Sequence, residues 1–149
     1  MKYNRLKEIR TYFDKTQKEM SEILGVSRST YAGWENGLDS IPLLKLNNFC
    51  NYFEICLDYV CGLTNTKNYK ITNLKIDKQV VGNNLKYIRK KNNDTQAYIS
   101  NIIQTDQSNY SKYELGKTLI LTNLITGFAR NYNVSIDWLC GKKEGSEII

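Results

Sequence analysis

Residues 16–35, TQKEMSEILGVSRSTYAGWE, decide the fold. Thr16 and Glu19 stand three apart at the head of an apolar run, a capping box in which the hydroxyl and the carboxylate satisfy free amides at a helix start. Met20, Ile23 and Leu24 follow at helical spacing and predict its buried face. Gly25 ends the helix, because glycine enters the left-handed conformation without a Cβ clash. Ser27 caps a second helix, which carries Tyr31 and Trp34 on its inner side and stops at Asn36-Gly37. Ser21 is small where the two helices must approach. The stretch therefore predicts two short helices joined by a three-residue turn.

Outward from this stretch the same periodicity continues. Leu6, Ile9 and Phe13 predict an amphipathic helix upstream. Pro42 suits the first turn of a fourth helix running to about Phe53, with Leu46, Phe49 and Phe53 inward. A fifth helix covers about Leu57 to Cys61 and ends at Gly62. Aligned with itself at an offset of 79, the chain then repeats without a gap: residues 6–64 overlie 85–143 with 17 identities in 59 positions, from Leu6/Leu85 to Gly62/Gly141. Most apolar positions agree as well, so the chain is two copies of one small helical unit.

The expected fold is all-α: two tandem five-helix units at 1–64 and 77–143, a linker at 65–76 and a tail at 144–149. Each unit is expected to carry its own core, with Trp34 and Trp138 inside. Residues 65–76 are polar and aperiodic, and as a coil they would average roughly 20 Å end to end. The tail reads as frayed.

Composition bounds the chemistry. Apolar residues make up 41% and charged residues 24%, with a mean hydropathy of −0.50, which describes a water-soluble globular chain. No apolar run is long enough to span a membrane, and MKYNRLKEIR lacks the apolar centre of a signal peptide, so a cytoplasmic address is expected. The chain has no histidine, which removes the commonest general base and the commonest zinc nitrogen ligand. Cys50, Cys56, Cys61 and Cys140 form no C-x-x-C pair and read as small core hydrophobes rather than disulfides or metal ligands. Neither an enzyme nor a metal, cofactor or small-molecule site is expected.

The net charge of +6 is uneven. Residues 1–64 carry 8 basic and 8 acidic side chains, residues 65–84 carry 4 and 1, and residues 85–149 carry 9 and 6, with Arg89, Lys90 and Lys91 consecutive. Clustered bases point toward a polyanion, most often nucleic acid; a solvated lysine-rich surface is the alternative.

Two helices joined by a short turn are the sequence form of a helix-turn-helix. Thr-Gln opening the second helix, the Gly-Val-Ser turn, Tyr-x-x-Trp-Glu-Asn-Gly and the closing Leu-Asp-Tyr-x-x-Gly together resemble the Cro and lambda-repressor family of helix-turn-helix regulators, and the second copy resembles it over Thr95–Glu114. The resemblance implies that the third helix of each unit enters the major groove of double-stranded DNA while the second crosses the backbone. It places Gln17 and Gln96 at the family's phosphate-contacting position. It places Arg28, Ser29 and Gly33, and correspondingly Gln107, Ser108 and Lys112, at base-reading positions. Arg28 is suited to a bidentate pair with guanine and Gln107 to one with adenine; for both the alternative is an ordinary solvated side chain. Arg89, Lys90 and Lys91 are phosphate-contact candidates. Glu35 and Glu114 are expected to stabilise the loop after the third helix.

The function expected is a sequence-specific double-stranded DNA-binding transcriptional regulator, a repressor of phage or mobile-element type by family habit. The rival is a protein-interaction module whose helix-turn-helix units have lost DNA binding, suggested by the neutral first copy. The more basic second copy, with side chains at all its reading positions, is expected to bind the more strongly. Two units in one chain can address two half-sites without a dimer; a homodimer presenting four units is the alternative.

Overall fold

The capping signals place the helix ends where the free amides are satisfied. The computed structural model describes residues 4–149, and among these it contains ten helices. The first copy holds α1 (Asn4–Tyr12), α2 (Gln17–Leu24), α3 (Arg28–Asn36), α4 (Leu43–Phe53) and α5 (Leu57–Val60). The second holds α6 (Lys78–Lys91), α7 (Gln96–Ile102), α8 (Gln107–Glu114), α9 (Thr122–Tyr132) and α10 (Ile136–Leu139). The only extended pairing among the described residues is one isolated antiparallel bridge, Val134 to Ile148. None of these helices is long and apolar enough to cross a membrane.

Both halves of the predicted capping box form, and Gly25 ends α2 at φ 69°. Ser27 accepts the Thr30 amide at the start of α3. In the second copy Asp106 does the same for Asn109. There the left-handed turn residue is Gln104, at φ 62°, a conformation that costs a side chain with Cβ roughly 1 kcal/mol.

Leu6, Met20, Tyr31, Trp34, Leu46 and Phe49 are buried, as are their equivalents Leu85, Ile99, Tyr110, Tyr113, Ile125 and Phe128. Three expected core residues lie further out. Ile23 is 39% exposed and Phe13 44% exposed. Ile23 stands about 60° around the helix from Met20 and falls on the margin of the buried stripe. Trp138 is only partly buried, its ring 6.0 Å from that of Tyr87. All four cysteines are buried and unpaired, and burial pushes the thiols of Cys56 and Cys61 up to about 12.

The expectation of two self-contained cores meets one continuous core instead, running through both copies from Leu6 to Cys140. The reason is the length of α5 and α10: four residues each cannot cover the open end of a bundle, so the two ends close on each other. Residues 61–77 contain no helix, yet they are tied down rather than free coil. The Cys56 amide donates to Lys67 O at 2.8 Å and the Thr72 amide to Lys142 O at 2.8 Å. Asn47 and Asn51 both donate their side-chain amides to Leu74 O at 2.9 Å. The tail is tied down as well. Ser135 N donates to Glu147 O at 2.8 Å, and the Glu147 carboxylate pairs with Lys91.

Gly82 marks the tightest approach between α6 and α8. A Cβ there would lie 2.4 Å from the Tyr113 carbonyl oxygen and 2.6 Å from that of Glu114. Both neighbours are backbone, so α6 must move as a body. Gly82→Ala is expected to cost about 1–3 kcal/mol, read as a lowered thermal midpoint; an unchanged midpoint would show that the α6–α8 contact is loose.

Candidate nucleic-acid interface

A buried ion pair joins the first helix of each copy to the end of the third, α1 to α3 and α6 to α8, and a glutamine ties the start of the second helix to the same glutamate. Arg10 donates from Nε to Glu35 Oε1 at 2.6 Å and from Nη2 to Oε2 at 3.1 Å, while its Nη1 reaches Lys15 O at 2.8 Å. Gln17 Nε2 adds a third donor to Glu35 Oε2 at 2.9 Å. The second copy repeats the arrangement: Arg89 to Glu114 at 2.6 and 3.1 Å, Arg89 to Asp94 O at 2.8 Å, and Gln96 to Glu114 at 2.8 Å. Burial alone would raise the Glu35 and Glu114 carboxyls; the guanidinium and glutamine donors outweigh it and hold both below the usual range. Each glutamate thus fixes one arginine and one glutamine side chain and braces three helices.

This geometry changes three assignments. Arg89 is buried and committed to Glu114, so it is withdrawn as a phosphate contact; the repeat itself aligns it with Arg10, which makes the same pair. Glu35 clamps α1 and the start of α2, and Glu114 clamps α6 and the start of α7, rather than the loops after α3 and α8. Gly33 is buried, its added Cβ meeting Asp39 Oδ2 at 3.7 Å and Leu38 Cβ at 3.9 Å, so it lies beneath the following loop and offers nothing to a base edge.

The other candidates are at the surface. Arg28, Ser29, Gln107, Ser108, Lys112, Lys90 and Lys91 are exposed, and Gln17 and Gln96 are half-buried. Ser29 Oγ lies 3.2 Å from Ser27 Oγ, whereas Arg28, Gln107, Ser108, Lys112 and Lys90 make no side-chain hydrogen bond among the described residues. Lys91 is engaged by Glu147.

Two cations escaped the motif reading. An open depression of about 530 Å³ at the heads of α2 and α3 is lined by Arg10, Asp14, Lys15, Thr16, Gln17, Lys18 and Arg28. Lys15 and Lys18 flank Gln17 there, and with Arg28 they make the mouth basic although the copy as a whole is neutral. The equivalents of Lys15, Lys18 and Arg28 are Asp94, Ala97 and Gln107. Comparing the copies position by position carries that signal; summing charge over each copy hides it.

These elements match known families in both halves. Residues 6–60 match a family model described as "Helix-turn-helix", and residues 82–144 match one described as "Helix-turn-helix domain". The chain is a tandem pair of helix-turn-helix domains of the Cro and lambda-repressor type. A relative in Bacillus subtilis (strain 168), the uncharacterized HTH-type transcriptional regulator YobD, is 31% identical over 67 residues, which cover 45% of this chain and 60% of that regulator's length. No solved structure matches the chain. In both domains the third helix, α3 or α8, begins with exposed polar residues and carries the buried glutamate in its last turn.

Proposed function

We propose that the chain is a sequence-specific double-stranded DNA-binding transcriptional regulator, a cytoplasmic repressor of phage or mobile-element type rather than an enzyme. Its two DNA-binding units are 1–64 and 77–143, joined by 65–76. The observation that carries the reading is the pinned glutamine beside a free reading helix, built twice from the same residues. Gln17 and Gln96 contact phosphate at the head of α2 and α7. Arg28 and Ser29, and Gln107, Ser108 and Lys112, face base edges, and Lys90 adds a phosphate contact. The stronger phosphate grip is that of the first copy, through Lys15, Lys18 and Arg28; the basic depression at the heads of α2 and α3 supports this, in contrast to the ranking that whole-copy charge suggests.

Selection of duplexes from a random pool, followed by titration at rising salt, tests this. Arg28→Ala is expected to cost about 1–3 kcal/mol on the selected site and to relax preference at one guanine; Gln107→Ala is expected to do so at one adenine. Lys18→Ala and Lys90→Ala should weaken all duplexes alike and flatten the salt dependence. Binding that ignores salt, or substitutions that leave preference intact, would overturn the reading. One observation favours the rival protein-interaction module: Tyr12, Phe13 and Tyr52 form an exposed aromatic cluster around Phe53. In the second copy their equivalents are Lys91, Asn92 and Asn131.

A further inference from the structure

We propose that the chain is its own dimer, and that its ligand is an asymmetric duplex carrying two unlike half-sites at one fixed spacing, bound by a single chain. The proposal rests on the DNA-binding reading above and adds the architecture of the site.

The observation is a reciprocal exchange at the seam between the copies. Asp58 Oδ1 accepts the Ile136 amide at 2.6 Å, and Asp137 Oδ1 accepts the Leu57 amide at 3.0 Å. At the repeat offset Asp58 corresponds to Asp137 and Leu57 to Ile136, so each copy gives the other the same contact. Only an operation that is its own inverse does this, and between two copies of one body that operation is a two-fold rotation. Two further bonds tighten the seam, Ser135 Oγ to Asp58 Oδ2 and Asp58 N to Asp137 Oδ2 at 2.9 Å. Both carboxylates are fully buried. Duplex DNA has a two-fold of the same kind at each dyad, which is why paired reading helices match paired half-sites.

Around this symmetric centre the contacts are not symmetric, and they choose the partner. Thr122 donates to Ile41 O at 2.5 Å, and Lys142 donates to Asn47 and, at 3.0 Å, to Asn51. The first-copy equivalents of Thr122 and Lys142 are Leu43 and Leu63, which donate nothing. Two first copies facing each other would therefore lose these bonds. Two second copies would set Lys142 against Arg130, the equivalent of the half-buried Asn51, a like-charge contact at the seam. First copy against second is the favoured pairing, and one chain supplies both. Residues 61–77 strap the same seam through Leu74 O and Thr72 N, so the reading helices keep one separation. Around a shared serine, Ser29 or Ser108, the side chains they carry differ: Arg28 and Thr30 on one, Gln107 and Asn109 on the other.

Two measurements on the full chain decide it. Leu38 and Lys117 are equivalent, exposed positions. With Leu38→Cys and Lys117→Cys spin-labelled, and the four native cysteines buried, the free chain is expected to give one narrow distance distribution that does not change on dilution. A broad distribution overturns the fixed pairing. A duplex selected from a random pool is expected to hold two unlike half-sites and to bind one chain, and inserting about five base pairs between them, half a helical turn, should cut affinity by roughly 100-fold. Insensitivity to the insertion, or a palindrome bound by two chains, overturns the proposal. A narrow distance with no duplex selected instead sinks the DNA-binding reading and leaves the internal two-fold standing.

Discussion

Arg89→Ala is expected to cost about 3–5 kcal/mol of folding stability, because removing one partner of a buried ion pair strands the other. Glu114 is 4% exposed, and Arg89 supplies two of its three side-chain donors. Without them its carboxylate keeps the desolvation cost and loses the compensating charge. The neighbouring Lys90→Ala, an exposed side chain with no partner among the described residues, is expected to stay within about 0.5 kcal/mol. Urea unfolding of the two variants beside the parent chain checks both, and a loss below about 1 kcal/mol for Arg89→Ala would mean that the pair is open to water. The companion substitution Arg10→Ala should behave as Arg89→Ala does, since Glu35 is held at the same distances.

Folding stability is also expected to fall as the pH rises from about 4 to about 7. Burial first, and then the facing Asp137 carboxyl, raise Asp58 to about 7, against the opposing hydrogen bonds from Ser135 and Ile136. Between its ordinary value and about 7 the folded chain keeps a proton that the unfolded chain releases. The contribution is therefore full on the acid side and gone above about 7, with a slope of at most about 1.4 kcal/mol per pH unit for one proton. Glu35 and Glu114 act oppositely. Their carboxyls are lowered on folding, so their stabilisation is lost as acid protonates them below about 4.5. Asp58→Asn keeps an acceptor for the Ile136 amide and removes the titration. Unfolding measured from about pH 5 to about 8 should show the slope in the parent chain and its absence in the variant; a flat parent profile would show that the seam admits water.

Much of this was readable from residues in order. The capping box at Thr16, the turn glycine, Ser27 and the repeat offset of 79 are local signals, because each acts within a few residues or between aligned copies. The base-reading positions came from the resemblance to a known family, not from these signals. What failed did so for non-local reasons. Arg89 looked like one of three basic residues in a row, and only its distance to Glu114, 25 residues on, separates it from Lys90. Gly33 looked like a bare reading position until the Leu38–Asp39 loop closed over it. Ile23 had the right spacing, but α2 buries a stripe narrower than its apolar residues suggest.

The amino-acid sequence by itself determined the helices, their caps, the duplication and the type of motif, since periodicity, capping and turn chemistry act over short distances along the chain. The relation between the copies was decided by tertiary structure alone. Asp58 and Asp137 stand 79 residues apart, and in sequence each is an acidic residue in the first turn of a four-residue helix, a place where it would ordinarily serve its own helix dipole. Burial in a shared seam turns each toward the other copy's amides, because no water remains there to satisfy the ends of two helices too short to satisfy themselves.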